Sequence, residues 1–125
     1  MTDEVKRKIL KLELKGLPPT VNHMYRTGRN SVRYKTAAGR LYQDYATLAL
    51  KTEWQGRPKY SGSIELRLTF KTGSRRRWDI DNRVKGLQDC LSLAGIIQDD
   101  SQIEVLHVER TRGEGASTQI EIYAL

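Results

Sequence analysis

Residues 64–95 read IELRLTFKTGSRRRWDIDNRVKGLQDCLSLAG, and a change of period inside this stretch sets the class of fold. Ile64, Leu66, Leu68 and Phe70 alternate with Glu65, Arg67 and Thr69, the two-residue period of a strand covered on one face. From Asp81 onward the spacing lengthens. Val84, Leu87, Leu91 and Ala94 recur every three to four residues, which predicts a helix over residues 81–94 with Gly95 just past its end. A basic loop, residues 71–78, joins the two.

The same two periods recur on either side. Leu10, Leu12 and Leu14 alternate with Lys11, Glu13 and Lys15 in a strand that Pro18 and Pro19 stop. Residues 20–35 are polar, basic and rich in turn formers, including Gly28 and Asn30, and read as a loop. Thr36 is placed to cap a helix over residues 37–54. Its expected apolar stripe is Leu41, Tyr45, Leu48 and Thr52, with Ala38, Tyr42 and Ala49 beside it, and Gly56 and Pro58 end it. Ile103, Val105 and His107 alternate in a third strand, and Thr118, Ile120, Ile122 and Ala124 in a fourth; TRGEGAST between them reads as a hairpin loop. The order β-α-β-α-β-β predicts an α+β fold, a mixed four-stranded sheet with two helices on one face. The 125 residues fit a single domain spanning 1–125, with the charged residues 1–8 expected to fray.

Composition narrows the function. The chain carries 22 Lys and Arg against 15 Asp and Glu, a net charge of +7, with a mean hydropathy of −0.63. That excess suits a polyanionic partner, although a basic protein without one has the same count. The single cysteine, Cys90, excludes an intrachain disulfide and a thiolate zinc site, and is expected in the core. His23 and His107 lack the spacing of a histidine pair. The opening MTDEVKRKIL has no apolar signal core and no run approaches membrane-spanning length, so a cytoplasmic protein without a membrane is expected. No glycine-rich nucleotide loop or nucleophile motif points to a small-molecule enzyme.

Arg75-Arg76-Arg77-Trp78-Asp79-Ile80-Asp81-Asn82-Arg83-Val84-Lys85 carries the chemistry. In extended backbone, residues i and i+2 face the same way, about 6.6 Å apart. Asp79 and Asp81 can then share one hard cation such as Mg²⁺, which prefers carboxylate oxygens. Lys85, one helical turn after Asp81, can hold a phosphate or stabilise charge in phosphoryl transfer; Asn82 can support a ligand. The structural alternative is ordinary: an aspartate caps a helix, and Asp81 and Lys85 form a surface pair. Three arginines directly before the aspartates favour a metal under a phosphate-binding surface. Asp99-Asp100 after the helix is either a turn or the source of a third ligand. Basic residues near the carboxylates (Lys71, Arg75, Arg76, Arg77, Arg83) and in the first loop (Arg26, Arg29, Arg33, Lys35, Arg40) are candidate phosphate contacts, or else parts of solvated loops. Tyr25, Tyr34 and Trp78 are candidates either for stacking on unpaired bases or for the core.

The run RRRWDIDNRVKGLQDCLSLAGIIQDDSQI resembles the signature of the RusA family of Holliday-junction resolvases: a basic run, Asp-x-Asp-Asn, a lysine four residues on, a helix ending in glycine, then Asp-Asp before a strand. Leu17-Pro18-Pro19-Thr20-Val21-Asn22 is similar to the family's opening Pro-Pro-x-x-Asn, with Asn22 at its asparagine. Trp78 departs from a fully basic run. The resemblance covers nearly the whole chain and implies a homodimer that cuts four-way DNA junctions with Mg²⁺ or Mn²⁺. It implies Asp79, Asp81 and Asp100 as the essential carboxylates and Lys85 as the functional lysine; only the resemblance selects Asp100 over Asp99. A relative that cuts flaps or duplex DNA, or one that binds without cutting, is the alternative. A 14-residue helix is about 21 Å long, and five residues beyond it reach at most about 17 Å. Asp100 therefore joins Asp79 and Asp81 either by a sharp return of the chain or from the partner subunit.

Overall fold

The computed structural model describes residues 6–74 and 78–125. The alternating leucines near the start lie in β1 (Arg7–Lys15). A short helix α1 (Val21–Met24), a small hairpin of β2 (Tyr25–Thr27) and β3 (Arg33–Lys35), and the long helix α2 (Ala37–Trp54) follow. Then come β4 (Ile64–Thr72), α3 (Val84–Leu93), β5 (Ile103–Arg112) and β6 (Ala116–Ala124). The main sheet runs β1-β6-β4-β5, antiparallel except for the parallel pair β4 and β5. The expected α+β fold with a mixed four-stranded sheet is therefore what the chain adopts.

The core lies between this sheet and the two long helices. Leu10 and Leu14, Ile64, Leu66, Leu68 and Phe70, and Ile120 and Ile122 face Ala46, Leu50 and Trp54 of α2 and Val84, Leu87, Cys90 and Leu91 of α3. Each large apolar side chain buried there contributes about 1.5–3 kcal/mol against leaving it in water. Cys90 is fully buried, as a small core residue. The sheet's other face lacks a helix layer. On it, Glu65 is buried under ion pairs to Lys6 and Arg67.

The bounds of α2 match the sequence reading. Thr36 Oγ1 accepts from Gly39 N at 3.0 Å, and Gln55 ends the helix in the left-handed conformation. Its expected face does not match. Leu41 is 72% exposed, Leu48 66% and Tyr45 42%, while Ala46, Leu50 and Trp54 pack inward. The helix carries two apolar stripes, and periodicity does not say which one is covered.

Four further expectations change. TRGEGAST does not close a hairpin, because β5 and β6 pair with opposite edges of β4 rather than with each other. Residues 20–35 are not a loop throughout: they hold α1 and the β2–β3 hairpin, whose tip turns at Asn30 with φ 67°. Past Ile103 the third strand presents the opposite face. A register shift between Ile64 and Glu65 sets Leu106 beside Leu66 and Val108 beside Leu68, so Val105 and His107 fall on the helix-free side. Of the residues expected to fray, 1–5 lie outside the described residues, whereas Lys6 bonds Glu65 and Arg7 and Lys8 belong to β1.

Candidate active site

Asp79 adopts extended backbone at φ −80° and ψ 126°, directly before a 3₁₀ turn over Ile80–Arg83 that runs into α3. Backbone groups close that turn: Asn82 N donates to Asp79 O at 3.2 Å. Asp79 sits at the N-cap position, yet its carboxylate makes no capping hydrogen bond. Asp79, Asp81 and Lys85 are all exposed, and Asn82 is half-buried. No hydrogen bond or ion pair among the described residues engages either carboxylate. Two unengaged carboxylates, two residues apart, are a donor set that fits a hard divalent cation.

The edge strand β5 secures the loop that leads to them. Arg110 Nη1 donates to Trp78 O and Arg112 Nη1 to Ser74 O, both at 2.9 Å. The Trp78 ring meets Phe70 edge-on at 5.9 Å, with the guanidinium groups of Arg83 and Arg110 over it at 4.7 and 5.2 Å. Trp78 is thus packed on the core rather than presented to a base. Arg83 also turns inward. It donates to Pro18 O, its Nε is buried without a partner among the described residues, and burial lowers its pKa. Through that bond the Pro18-Pro19 segment is tied to the start of α3. Lys71 stands on the helix-free face of the sheet with Glu13, Glu109 and Glu121, away from the helix that follows Asp81. Arg75, Arg76 and Arg77 lie outside the described residues.

The second aspartate pair follows a well-satisfied helix end. Ile96 N donates to Leu91 O and Gly95 N to Ser92 O, both at 3.1 Å, with Gly95 at φ 77°, the Schellman arrangement. The chain then folds back and is pinned by Gln102 Nε2, which donates to Tyr60 O at 2.6 Å and Gly62 O at 3.0 Å. Asp99 caps the 3₁₀ turn Asp100–Gln102, accepting from Ser101 N at 3.1 Å in a capping box with Gln102. Asp100 is left to face α3, where Ser92 Oγ donates to it at 3.4 Å. Burial, and next the neighbouring Asp89 carboxylate, hold Asp100 above the ordinary aspartate pKa; Ser92 and Lys85 oppose them. The return of the chain thus brings Asp100 to Lys85 and Asp89 but does not complete a cluster. Among the described residues no three His, Cys, Asp or Glu side chains gather closely enough to hold a metal ion.

The basic hairpin docks on the same helix. Met24, 2% exposed, lies where Gly39 of α2 and Gly86 of α3 leave room for it: a Cβ on Gly39 would stand 2.7 Å from Met24 O, and one on Gly86 2.5 Å from Met24 Sδ. Tyr25 OH donates to Asp89 Oδ2 at 3.2 Å, and the Arg33 guanidinium stacks on the Tyr25 ring at 4.2 Å. Arg26, Arg29, Arg33, Tyr34 and Arg40 are exposed, as is Asn22 on α1, while Lys35 bonds Gln43. Sequence reasoning missed Asp89, Arg110 and Arg112. Asp89 lies one helical turn beyond Lys85, a spacing that was available as a signal. No periodicity points to the two arginines of an edge strand.

A model of the family described as endodeoxyribonuclease RusA matches residues 16–123. A search of curated proteins returned no match. The match spans both the Pro-Pro segment and the Asp79–Asp100 stretch, which the fold joins through Pro18 and Arg83. The chain belongs to the RusA family of endodeoxyribonucleases, metal-dependent enzymes that resolve Holliday junctions.

Proposed function

We propose that this protein is a Mg²⁺-dependent resolvase, with Mn²⁺ as a substitute, that acts as a cytoplasmic homodimer and cuts four-way junctions by paired symmetric nicks in DNA recombination and repair. The observation that carries the proposal is the pair of exposed, unengaged carboxylates of Asp79 and Asp81, directly before the helix that bears Lys85. Asp79 and Asp81 hold the cation. Bound there, it supplies an activated water and neutralises the phosphate. Lys85 takes one phosphate oxygen and offsets the charge that develops as the strand is cut. Arg26, Arg29 and Arg33 hold flanking phosphates, which confers affinity for branched DNA without a base code. Arg75, Arg76 and Arg77 are assigned the same task from the sequence.

Two nicks in strands related by a two-fold axis require two sites in the same symmetry, which a C₂ dimer supplies. We assign the third carboxylate to Asp100, delivered either by the same chain, where it lies near Lys85, or by the partner subunit, since no cluster of three closes among the described residues. The exposed Leu41 and Leu48 on α2, with Leu93 at 51% exposure, support association with a second copy.

Cleavage of labelled four-way, flap and linear duplex DNA, with and without Mg²⁺ or Mn²⁺, tests the reading. Paired nicks in the four-way substrate alone, dependent on metal and lost in Asp81→Asn, are expected. Equal cutting of flap or duplex would reassign the substrate. Binding without cutting in either metal would leave a DNA-binding relative. Mixing Asp81→Asn with Asp100→Asn subunits separates the two routes for Asp100: a heterodimer that nicks one strand supports delivery by the partner subunit, and an inactive confirmed heterodimer supports delivery by the same chain.

A further inference from the structure

The contact between the basic hairpin and α3 has a polar component that packing alone does not require. Met24 fills its niche by shape. One residue later, Tyr25 reaches across to donate its hydroxyl to Asp89, half-buried on α3. Asp89 lies one turn beyond Lys85 and close enough to Asp100 to raise its pKa. On the other side, Arg33 lies over the Tyr25 ring, so the same tyrosine ties β3 to β2. The hairpin, with exposed Arg26 and Arg29, is therefore joined through the Tyr25 side chain to the helix that carries Lys85 and Asp89.

We infer that Tyr25 and Asp89 form a latch that sets the register of the basic hairpin on α3, so that DNA held by the hairpin arrives beside Lys85 and the carboxylates. Both are positioning residues. Asp89 is needed as a hydrogen-bond acceptor for Tyr25, not as a metal ligand. This rests on the nuclease reading above and names further residues of the same site.

The chemistry separates the two roles of Asp89. An asparagine keeps an oxygen that accepts from Tyr25 but is a poor substitute for a carboxylate on a hard cation. An alanine removes both. Loss of a hydrogen bond to a charged group at a part-exposed site corresponds to roughly a fivefold to tenfold effect.

The experiment measures kcat and KM for junction cleavage, and junction Kd without metal, in Tyr25→Phe, Asp89→Ala, Asp89→Asn and the Tyr25→Phe/Asp89→Ala double variant. Thermal melting is followed alongside. Tyr25→Phe and Asp89→Ala are expected to raise KM and Kd about fivefold to tenfold with kcat nearly kept. The double variant is expected to be no worse than either single, and Asp89→Asn to stay close to the parent. Unchanged KM and Kd in Tyr25→Phe, with only a lower Tm, overturn the latch. So does a loss of kcat in both Asp89→Asn and Asp89→Ala, which would make Asp89 a ligand. If the parent protein cuts nothing in Mg²⁺ or Mn²⁺, the nuclease reading falls by itself. The latch is then judged on metal-free Kd, upheld by the same pattern and overturned by its absence.

Discussion

Two aspartate pairs flank α3, and they are used differently. At its start, Asp79 occupies an N-cap position in extended backbone and caps nothing. Beyond its end, Asp99 occupies the same kind of position and caps fully, accepting from Ser101 N within a capping box; the Ser101 side chain, first, and then this backbone bond lower its pKa. The backbone thus claims Asp99, while Asp79 and Asp81 cap nothing and Asp100 accepts from the Ser92 side chain rather than from the backbone. The family resemblance selected Asp100 over Asp99 without a physical reason. The capping box supplies one: a carboxylate already engaged by backbone N–H groups would have to give them up to meet a cation.

The comparison breaks or sharpens by substitution. The largest effect is expected from Asp81→Asn or Asp100→Asn, each lowering cleavage by about a hundredfold or more, with circular dichroism and melting little changed. Full activity in Asp81→Asn would remove the start of α3 from the chemistry. Next is Gly39→Ala, whose Cβ would stand 2.7 Å from the backbone oxygen of Met24. It is expected to displace α1 and the hairpin and weaken junction binding more than it lowers cleavage at saturating DNA. Asp99→Asn should do less: Tm falls slightly and cleavage is mostly retained. A dead but stably folded Asp99→Asn would invert the assignment of the pair.

The smallest effect concerns a carboxylate that is wholly engaged. The hydrogen bond from Lys6, first, and then that from Arg67 hold Glu65 below its ordinary pKa. Its contribution to stability is present above the unfolded glutamate pKa and is lost as pH falls through the lower, folded value. Glu65→Gln should therefore melt below the parent protein at neutral pH, and the gap should close in acid. A gap that stays constant with pH would dissociate Glu65's role from its charge.

How much was legible in the sequence followed from whether one local pattern had one solution. β4 had one: its apolar residues fall on a single parity, and they are all inside. The α2 helix had two, and the leucines that looked like a core stripe face outward while Ala46, Leu50 and Trp54 are covered. In β5, Ile103, Val105 and Leu106 offer both parities. The shift opposite Ile64 decides between them, and it leaves no mark in the sequence. Asp79 and Asp81 were visible because a two-residue spacing has direct chemical meaning. Tyr25 and Asp89 lie 64 positions apart, and only the docking of the hairpin joins them. The placing of Arg83 against Pro18 likewise needed the third dimension, since its position after the aspartates reads as one more phosphate contact.

The strand order has a consequence for synthesis. β6 is last of the four in sequence but lies between β1 and β4. Until residues 116–124 have left the ribosome, the sheet consists of β4 with β5 on one side and an unpaired β1 elsewhere. Chains stalled or cleaved before Ala116 expose the inner edges of both β1 and β4, the kind of open strand that recruits other chains into aggregates. A DNA-cutting surface resting on this sheet is therefore firm only after translation has passed the last strand, so partial products carry the basic residues without the scaffold that aims them.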